Sequence, residues 1–296
     1  MVDRLIKAIS ESGTVRACAA ITTDTVNSAY KIQEPAALSG IILGNVLTAA
    51  GLCAGSLKGE RERVSLLFRG NGPIAKVAAE ACADGKIRGY AANPKAEFAT
   101  DRDPRTQMAD AIGVASVLTV TKDLGMRQPY TGTINCMTGD VAADIAYYFT
   151  QSEQIPSALA ISTIPNADNS AVEISGGYFI QQIPQDGGFG ANEKTELEQI
   201  AEAASRLSIN SMLLEKKTPQ DILEEIFSGV KFKVLGGTDL AFECTCSKET
   251  AERALIAFDE KTKAEILDAN EDLQIKCEFC QKMYYVSTDE QRQKLN

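Results

Sequence analysis

An α+β fold in three parts is what this sequence predicts: an N-terminal antiparallel sheet with helices against it (residues 1–183), a helical linker (184–232) and a small C-terminal four-cysteine domain (233–296). Three observations carry that reading. Extended and helical signals alternate over the first 175 or so residues, with turn chemistry between them. The stretch PQDGGFG, beginning at Pro184, then breaks the pattern, and a second break falls at Gly236-Gly237. Four of the eight cysteines lie beyond that second break, as two close pairs.

The elements follow in order. Val15 to Tyr30, rich in Val, Ile and Thr, reads as extended chain. Pro35 to Leu57 reads as a helix with apolar residues on more than one face, and its apolar stretch is interrupted by Ser39, Gly40, Asn45 and Thr48, as in a buried helix. Val64–Arg69, Ile74–Ala81 and Ile87–Ala92 form a meander through Gly70-Asn71-Gly72-Pro73 and Ala83-Asp84-Gly85-Lys86. Val114–Thr121 and Tyr130–Cys136 make another strand pair. Thr138 is placed to cap a helix from Gly139 to about Ser152, with Val141, Ile145, Tyr148 and Phe149 on one face. Ala158–Ile164 and Ala171–Ile183 are the last strands of the first part. In the linker, Asn192 to about Leu214 carries the stripe Leu197, Ile200, Ala204 and Leu207, and Thr218-Pro219 opens a second helix with Ile222, Leu223, Ile226 and Phe227. Helices this slight need a surface to dock on.

Composition removes several function classes. The 296 residues are 44% hydrophobic and 24% charged, which suits a globular core. There is no histidine, so Ser-His-Asp and Cys-His nucleophilic sites, HExxH zinc sites and imidazole proton shuttles cannot be built from this chain. A net charge of -10 opposes binding to a phosphate backbone, so no nucleic-acid partner is expected. Asp3, Arg4 and Lys7 interrupt the opening residues where a secretory leader would be apolar, and no run has the length of a membrane span. The expected address is cytoplasmic, with no membrane partner. Thiols stay reduced there, so the cysteines are expected to be buried, metal-bound or redox-sensing.

Cys244-Thr245-Cys246 and Cys277-Glu278-Phe279-Cys280 are the strongest signal, two short pairs separated by 30 residues. Four thiolates satisfy tetrahedral zinc, and no histidine competes for the role, so one Zn2+ per chain is expected on Cys244, Cys246, Cys277 and Cys280. The insert between the pairs offers Ala254, Leu255, Phe258, Ile266 and Leu267 as core, which is thin. Metal binding would therefore supply much of this segment's folding free energy, on the order of 10 to 16 kcal/mol in small zinc domains. Two uses stay open on spacing alone. Zinc is either a permanent staple for a binding module or the readout of a switch whose thiolates are lost on oxidation. The segment from Lys233 carries 9 basic and 13 acidic side chains, which argues against a nucleic-acid staple. A disulfide across CxC would be strained and readily reduced.

Phe242-Glu243-Cys244-Thr245-Cys246-Ser247-Lys248-Glu249, followed by Ile275-Lys276-Cys277-Glu278-Phe279-Cys280 and Tyr284 to Val286, closely resembles the terminal redox-switch motif of the 33 kDa chaperonin family, the redox-regulated heat-shock holdases. Phe68-Arg69-Gly70-Asn71-Gly72-Pro73 and Gly89-Tyr90 resemble the family's first-domain hairpin region, so the likeness covers essentially the whole chain. The resemblance implies an ATP-independent chaperone, inactive when reduced and zinc-bound. It implies that oxidants pair Cys244 with Cys246 and Cys277 with Cys280 as redox-active disulfides, that zinc then leaves, and that the linker opens toward unfolding client proteins during oxidative stress. It further implies homodimers when oxidised and transfer of clients to ATP-dependent chaperones.

The remaining candidates read as structure. Cys18, Cys53, Cys82 and Cys136 sit among apolar residues and are expected to be inert. Asp101-Arg102-Asp103-Pro104 and Glu60-Arg61-Glu62-Arg63 read as solvated surface, and Gly187-Gly188-Phe189-Gly190 as linker, since no Walker loop or dinucleotide fingerprint surrounds it. No nucleophile and base are assembled in the first 177 residues, so an enzyme is not expected. A zinc-stapled binding module is the alternative to the holdase.

Overall fold

The computed structural model describes residues 2–96, 109–113, 115–184, 191–256 and 273–287, without the side chains of 191–195 and 254–256. The acidic run 101–104, the glycines of 187–190, and Phe258, Ile266 and Leu267 lie outside the described residues. The chain divides into two compact units, Met1–Phe242 and Glu243–Asn296.

The first unit holds two sheets. One runs through β1 (Arg4–Ser10), β2 (Val15–Ile21), β8 (Ser157–Pro165), β9 (Val172–Gln182) and β10 (Phe232–Asp239), in the spatial order β10-β1-β2-β9-β8 and antiparallel throughout. The other runs through β3 (Arg63–Arg69), β4 (Lys76–Cys82), β5 (Lys86–Ala91), β6 (Val117–Asp123), β7 (Tyr130–Asn135) and the short β11 (Ala241–Phe242), in the order β11-β5-β4-β3-β6-β7. Only the β11 to β5 pairing is parallel among the described strands. The meander β3-β4-β5 and the pair β6-β7 stand where turn chemistry put them. At the β3-β4 turn, a Cβ on Gly70 would fall on the Ile112 carbonyl oxygen, so the close approach of the 109–113 segment requires glycine there.

Helix α1 (Thr23–Gln33) and helix α2 (Ala37–Ala54) lie against these sheets. By length and composition α2 is long and apolar enough to cross a membrane, and 83% of it is buried inside the fold. It is the core helix: Ile42, Leu43, Val46, Leu47 and Leu52 are fully buried together with Leu66, Phe68 and Val120 of the second sheet and Leu5, Ala20 and Phe179 of the first. Gly44 lets it approach β8, since a Cβ there would stand 2.6 Å from the Thr163 side chain. Helix α3 (Val141–Ser152) adds Val141, Ile145, Tyr148 and Phe149 to the same core, the face its spacing predicts.

Several elements differ from their sequence reading. Extended chain does not continue from Val15 to Tyr30, because α1 begins at Thr23. Its first amides are met by a distant group: the buried Asp3 carboxylate accepts from Asp24 N (3.1 Å) and Thr25 N (2.6 Å), overriding the local β-branched preference. In α3 the cap is Asp140, which accepts from Ala143 N at 2.8 Å; Thr138 sits two residues earlier and accepts from Asp140 N. Residues 192–214 form two helices, α4 (Ala191–Arg206) and α5 (Ile209–Leu214), because Ser208 turns extended and caps the second. Helix α6 (Pro219–Ile226) carries a complete capping box between Thr218 and Asp221, with proline in the first turn. Phe232–Asp239, which the sequence reading grouped with the cysteines from Lys233 onward, instead pairs with β1 inside the first unit. Strand β1 was not read from the sequence at all.

Helices α4–α6, which the sequence reading takes as a linker, are docked on the far face of the first sheet. Alternation sends Ala17, Ala19, Ile21, Tyr178 and Ile180 to that face, where they meet Ile200, Ala204, Leu213, Ile222, Leu223 and Phe227 of the α4–α6 segment. Each fully buried Ile, Leu or Phe contributes roughly 1.5–3 kcal/mol. Leu197 and Leu207 complete the predicted stripe as partly buried neighbours. Phe227 and Phe232 stack with centroids 4.6 Å apart.

The second unit contains α7 (Lys248–Ile256) and the antiparallel pair β12 (Leu273–Lys276) and β13 (Met283–Val286). Among its described residues only Ala251, Tyr284 and Val286 are buried.

Candidate metal centre

Two local motifs carry the four cysteines. Cys244 and Cys246 lie between β11 and α7 on extended chain, and Ser247 then starts the helix, its Oγ accepting from Thr250 N at 3.2 Å and its carbonyl from Ala251 N at 3.0 Å. Cys277 and Cys280 lie in the turn between β12 and β13. There Cys277 N donates to Lys282 O and Gln281 N to Cys277 O, both at 2.9 Å, and Gln281 takes a left-handed φ of 62° to close the turn. The strand register pairs Lys276 with Met283 across the base of this turn.

The fold brings all four sulfurs within 4.8 Å of one another. Cys244 Sγ is 3.7 Å from Cys277 Sγ, and Cys246 Sγ is 3.4 Å from Cys280 Sγ. Four sulfurs about 2.3 Å from a tetrahedral zinc would stand about 3.8 Å apart. The donor set is all thiol and the spacing is that of a tetrahedral thiolate site, so these residues fit a single soft or borderline metal ion. The two contacts both cross from one sequence pair to the other.

Tyr284 belongs to this site as well. Its hydroxyl lies 3.0 Å from both Cys246 Sγ and Cys246 O. Burial opposes a thiolate at Cys246, but hydrogen bonds from Tyr284 and the neighbouring sulfurs outweigh it and lower that thiol to about 7. Burial, with the neighbouring Cys246 and Cys277 sulfurs, pushes Cys244 and Cys280 upward. One negative charge is thus easily held by the bare cluster, and several are not. A cation at its centre reverses that, since thiolates this close must otherwise repel one another. Sequence reading took Tyr284 only as part of a motif. Its alternation with Val286 on β13 is the signal that it faces inward.

The other four cysteines all lie in the first unit. Cys18 and Cys53 are buried in the first unit, and burial pushes the Cys18 thiol up to about 12 and the Cys53 thiol upward too. Cys82 and Cys136 are only half-buried; burial still raises both, Cys136 to about 11. None of the eight cysteines is in a disulfide. Of the charged run 60–63, Arg63 pairs with Asp123 at 2.9 Å on the surface and Glu62 accepts from Lys58 N, both structural contacts.

Comparison with known proteins places the whole chain. A family model described as Hsp33 protein matches residues 3–287. The 33 kDa chaperonin of Clostridioides difficile is 34% identical over 290 residues, covering 98% of this chain and 97% of its own length. That of Clostridium beijerinckii is 37% identical over an alignment of 302 residues, covering 100% of this chain and 99% of the relative. The crystal structure of the 33 kDa chaperonin (Hsp33) from Thermotoga maritima has a TM-score of 0.83 at 30% identity, covering 99% of this chain and 97% of that one. Fold, four-cysteine cluster and full-length similarity agree, and this chain belongs to the Hsp33 family of chaperones.

Proposed function

We propose that this chain is a redox-regulated, ATP-independent holdase whose switch is the cluster Cys244, Cys246, Cys277 and Cys280. The observation that carries the reading is the gathering of those four sulfurs within 4.8 Å, in a unit whose described residues bury few side chains. Zinc, when bound, would tie together chain segments 30 residues apart and contribute folding free energy beyond that of the three side chains buried among the unit's described residues. Ligation by four thiolates fits zinc best for a chain without histidine.

In this reading the reduced form is dormant. For each neighbouring thiolate pair one hydrogen peroxide accepts two electrons and its O–O bond is cleaved to two hydroxide ions, joining Cys244 to Cys246 and Cys277 to Cys280. Each disulfide needs one equivalent of oxidant. The sulfurs lose the charge that held the ion, so the metal is released and the terminal unit unfolds. All four sulfurs lie within 4.8 Å of one another, so the two sulfurs of each motif are already near enough to pair once the metal no longer holds them.

The chain would act as three parts: a core through residue 183, a helical segment 184–232 and a terminal segment from 233, whose cysteine-bearing portion follows Phe242. Release of α4–α6 would uncover the apolar face formed by Ala17, Ala19, Ile21, Tyr178 and Ile180, a surface able to hold unfolding clients. Oxidised molecules would form homodimers and pass clients to ATP-dependent chaperones, in the cytoplasm, with neither nucleic acid nor membrane as partner. Nothing in this scheme makes the chain an enzyme. The test joins two readouts on the full-length protein: metal released on peroxide treatment under mildly unfolding conditions, and light scattering of a heat-denatured client. Release and protection should rise together. Equal protection by reduced and oxidised protein overturns the switch and leaves a zinc-stapled binding module.

A further inference from the structure

A cleft of about 270 Å³ opens in the first unit where α2 ends short of the inner face of the first sheet. Its floor is apolar, made by Cys18, Leu52 and Phe179. Its charged lining consists of Lys7, Arg16 and Lys58, with no carboxylate among the lining residues. The cleft surface is therefore cationic although the chain's net charge is -10, the nearest acids, Glu62 beside Lys58 and Glu153 near Arg16, lying outside its lining. Among the described residues, none of the three makes an ion pair.

Arg16 is held for use. Its Nε and Nη2 donate to Gln181 Oε1 at 3.2 and 2.7 Å, and Gln181 is 2% exposed, with its own Nε2 donating to Ser157 Oγ at 3.1 Å. That chain of hydrogen bonds fixes the amide oxygen toward the guanidinium. That hydrogen-bond partner is neutral, so the guanidinium is oriented without a direct ion pair, the nearest acid felt being Glu153 outside the cleft lining, and among the described residues no acceptor meets Nη1. A guanidinium in that state is suited to an anionic oxygen. The rim carries a second feature. The β1-β10 register passes from Lys7 opposite Gly236 to Ala8 opposite Val234, so Leu235 is a bulge residue; it is 63% exposed and lines the cleft.

We propose that this cleft binds a small amphipathic anion, its headgroup on Arg16 and Lys7 and its tail over Phe179 and Leu52 toward Leu235. The volume is about nine times the ~30 Å³ of a water molecule, room for a headgroup and a chain of roughly eight carbons. Nothing in this site involves the four-cysteine cluster, so it stands whether or not the redox switch does.

Calorimetric titration of octanoate, below its micellar concentration, into the reduced, metal-loaded full-length protein tests the site. One octanoate should bind per chain, octanol and octylammonium should bind at least about tenfold more weakly, and Arg16→Gln and Lys7→Gln should each weaken octanoate by about tenfold. Should Arg16→Gln fail to fold, Lys7→Gln and Lys58→Gln at the mouth decide the matter. Absence of octanoate binding, equal binding of octylammonium, or unchanged affinity in both lysine variants overturns the proposal.

Discussion

The hydroxyl of Tyr284 has one hydrogen and two acceptors at 3.0 Å, the sulfur and the carbonyl oxygen of Cys246. Aimed at the sulfur, it stabilises a thiolate ligand from outside the coordination sphere, the role that second-layer donors play at metal sites. Tyr284→Phe keeps the buried ring and removes only that donor, so metal affinity measured by chelator competition should fall about 10- to 100-fold while the fold is retained. Cys280→Ser is more severe, because it removes a ligand, and metal analysis should then find the purified chain largely metal-free. Cys18 behaves oppositely. With its thiol pushed up to about 12 by burial, its thiolate fraction at pH 8 is about 1 in 10,000, so iodoacetamide should leave Cys18 unmodified in the native protein and label it only after unfolding, as mass spectrometry of digests would show. These residue-scale properties were unevenly legible. The four cysteines announce themselves by type and spacing, whereas the part played by the Tyr284 hydroxyl depends on a contact across 38 positions of chain.

At the scale of elements, α4 is tied to the β1-β2 turn by Glu196, whose carboxylate accepts from Ser12 Oγ at 2.5 Å and Thr14 Oγ1 at 2.9 Å. Partial burial opposes the charge, but these hydrogen bonds prevail and hold Glu196 below the usual carboxylate range. A depressed native value means that the tie contributes above the ordinary pKa of a glutamate and is lost as pH falls through the lower native one. Glu196→Ala should loosen α4 by about 1 kcal/mol, a severalfold faster cleavage of the linker segment by limited proteolysis in the reduced protein. Ile222→Ala acts on the same docking through packing: α6 buries Ile222 completely against the first sheet, and its truncation should cost about 2–4 kcal/mol. If the uncovered sheet face holds clients, that variant should suppress client light scattering without oxidant, and wild-type behaviour in the reduced state would count against this face. The stripe Leu197, Ile200, Ala204, Leu207 and the helix start at Thr218-Pro219 were readable because both are local patterns. Their docking partner was not, since the alternation of β2 and β9 says which residues share a face and not what covers it. The break at Ser208 was hidden by apolar residues on both sides of it.

For the whole molecule, the two units differ in what holds them. The first has large apolar clusters on both faces of its antiparallel sheet, and the second has three buried side chains and four sulfurs among its described residues. Chelation of the metal under reducing conditions should therefore remove one transition from a calorimetric trace, that of the terminal unit, and leave the main transition of the first unit in place. A single transition, lost or kept as a whole, would contradict that independence.

By itself the sequence determined the fold class, the meander with its glycine turns, the buried character of α2 and the identity of the four clustered sulfurs. Each of these rests on residue type and short spacing, which act over one turn or one hairpin. Tertiary structure alone decided that the chain after Thr22 becomes helix, that Phe232–Asp239 returns to pair with β1, and that Glu196 and Tyr284 each find a partner far along the chain. The reason is common to all of them. Asp3 meets the α1 amides, β1 meets β10 and Tyr284 meets Cys246 across long separations, and the free energy of such contacts exists only once the rest of the fold has brought both partners together.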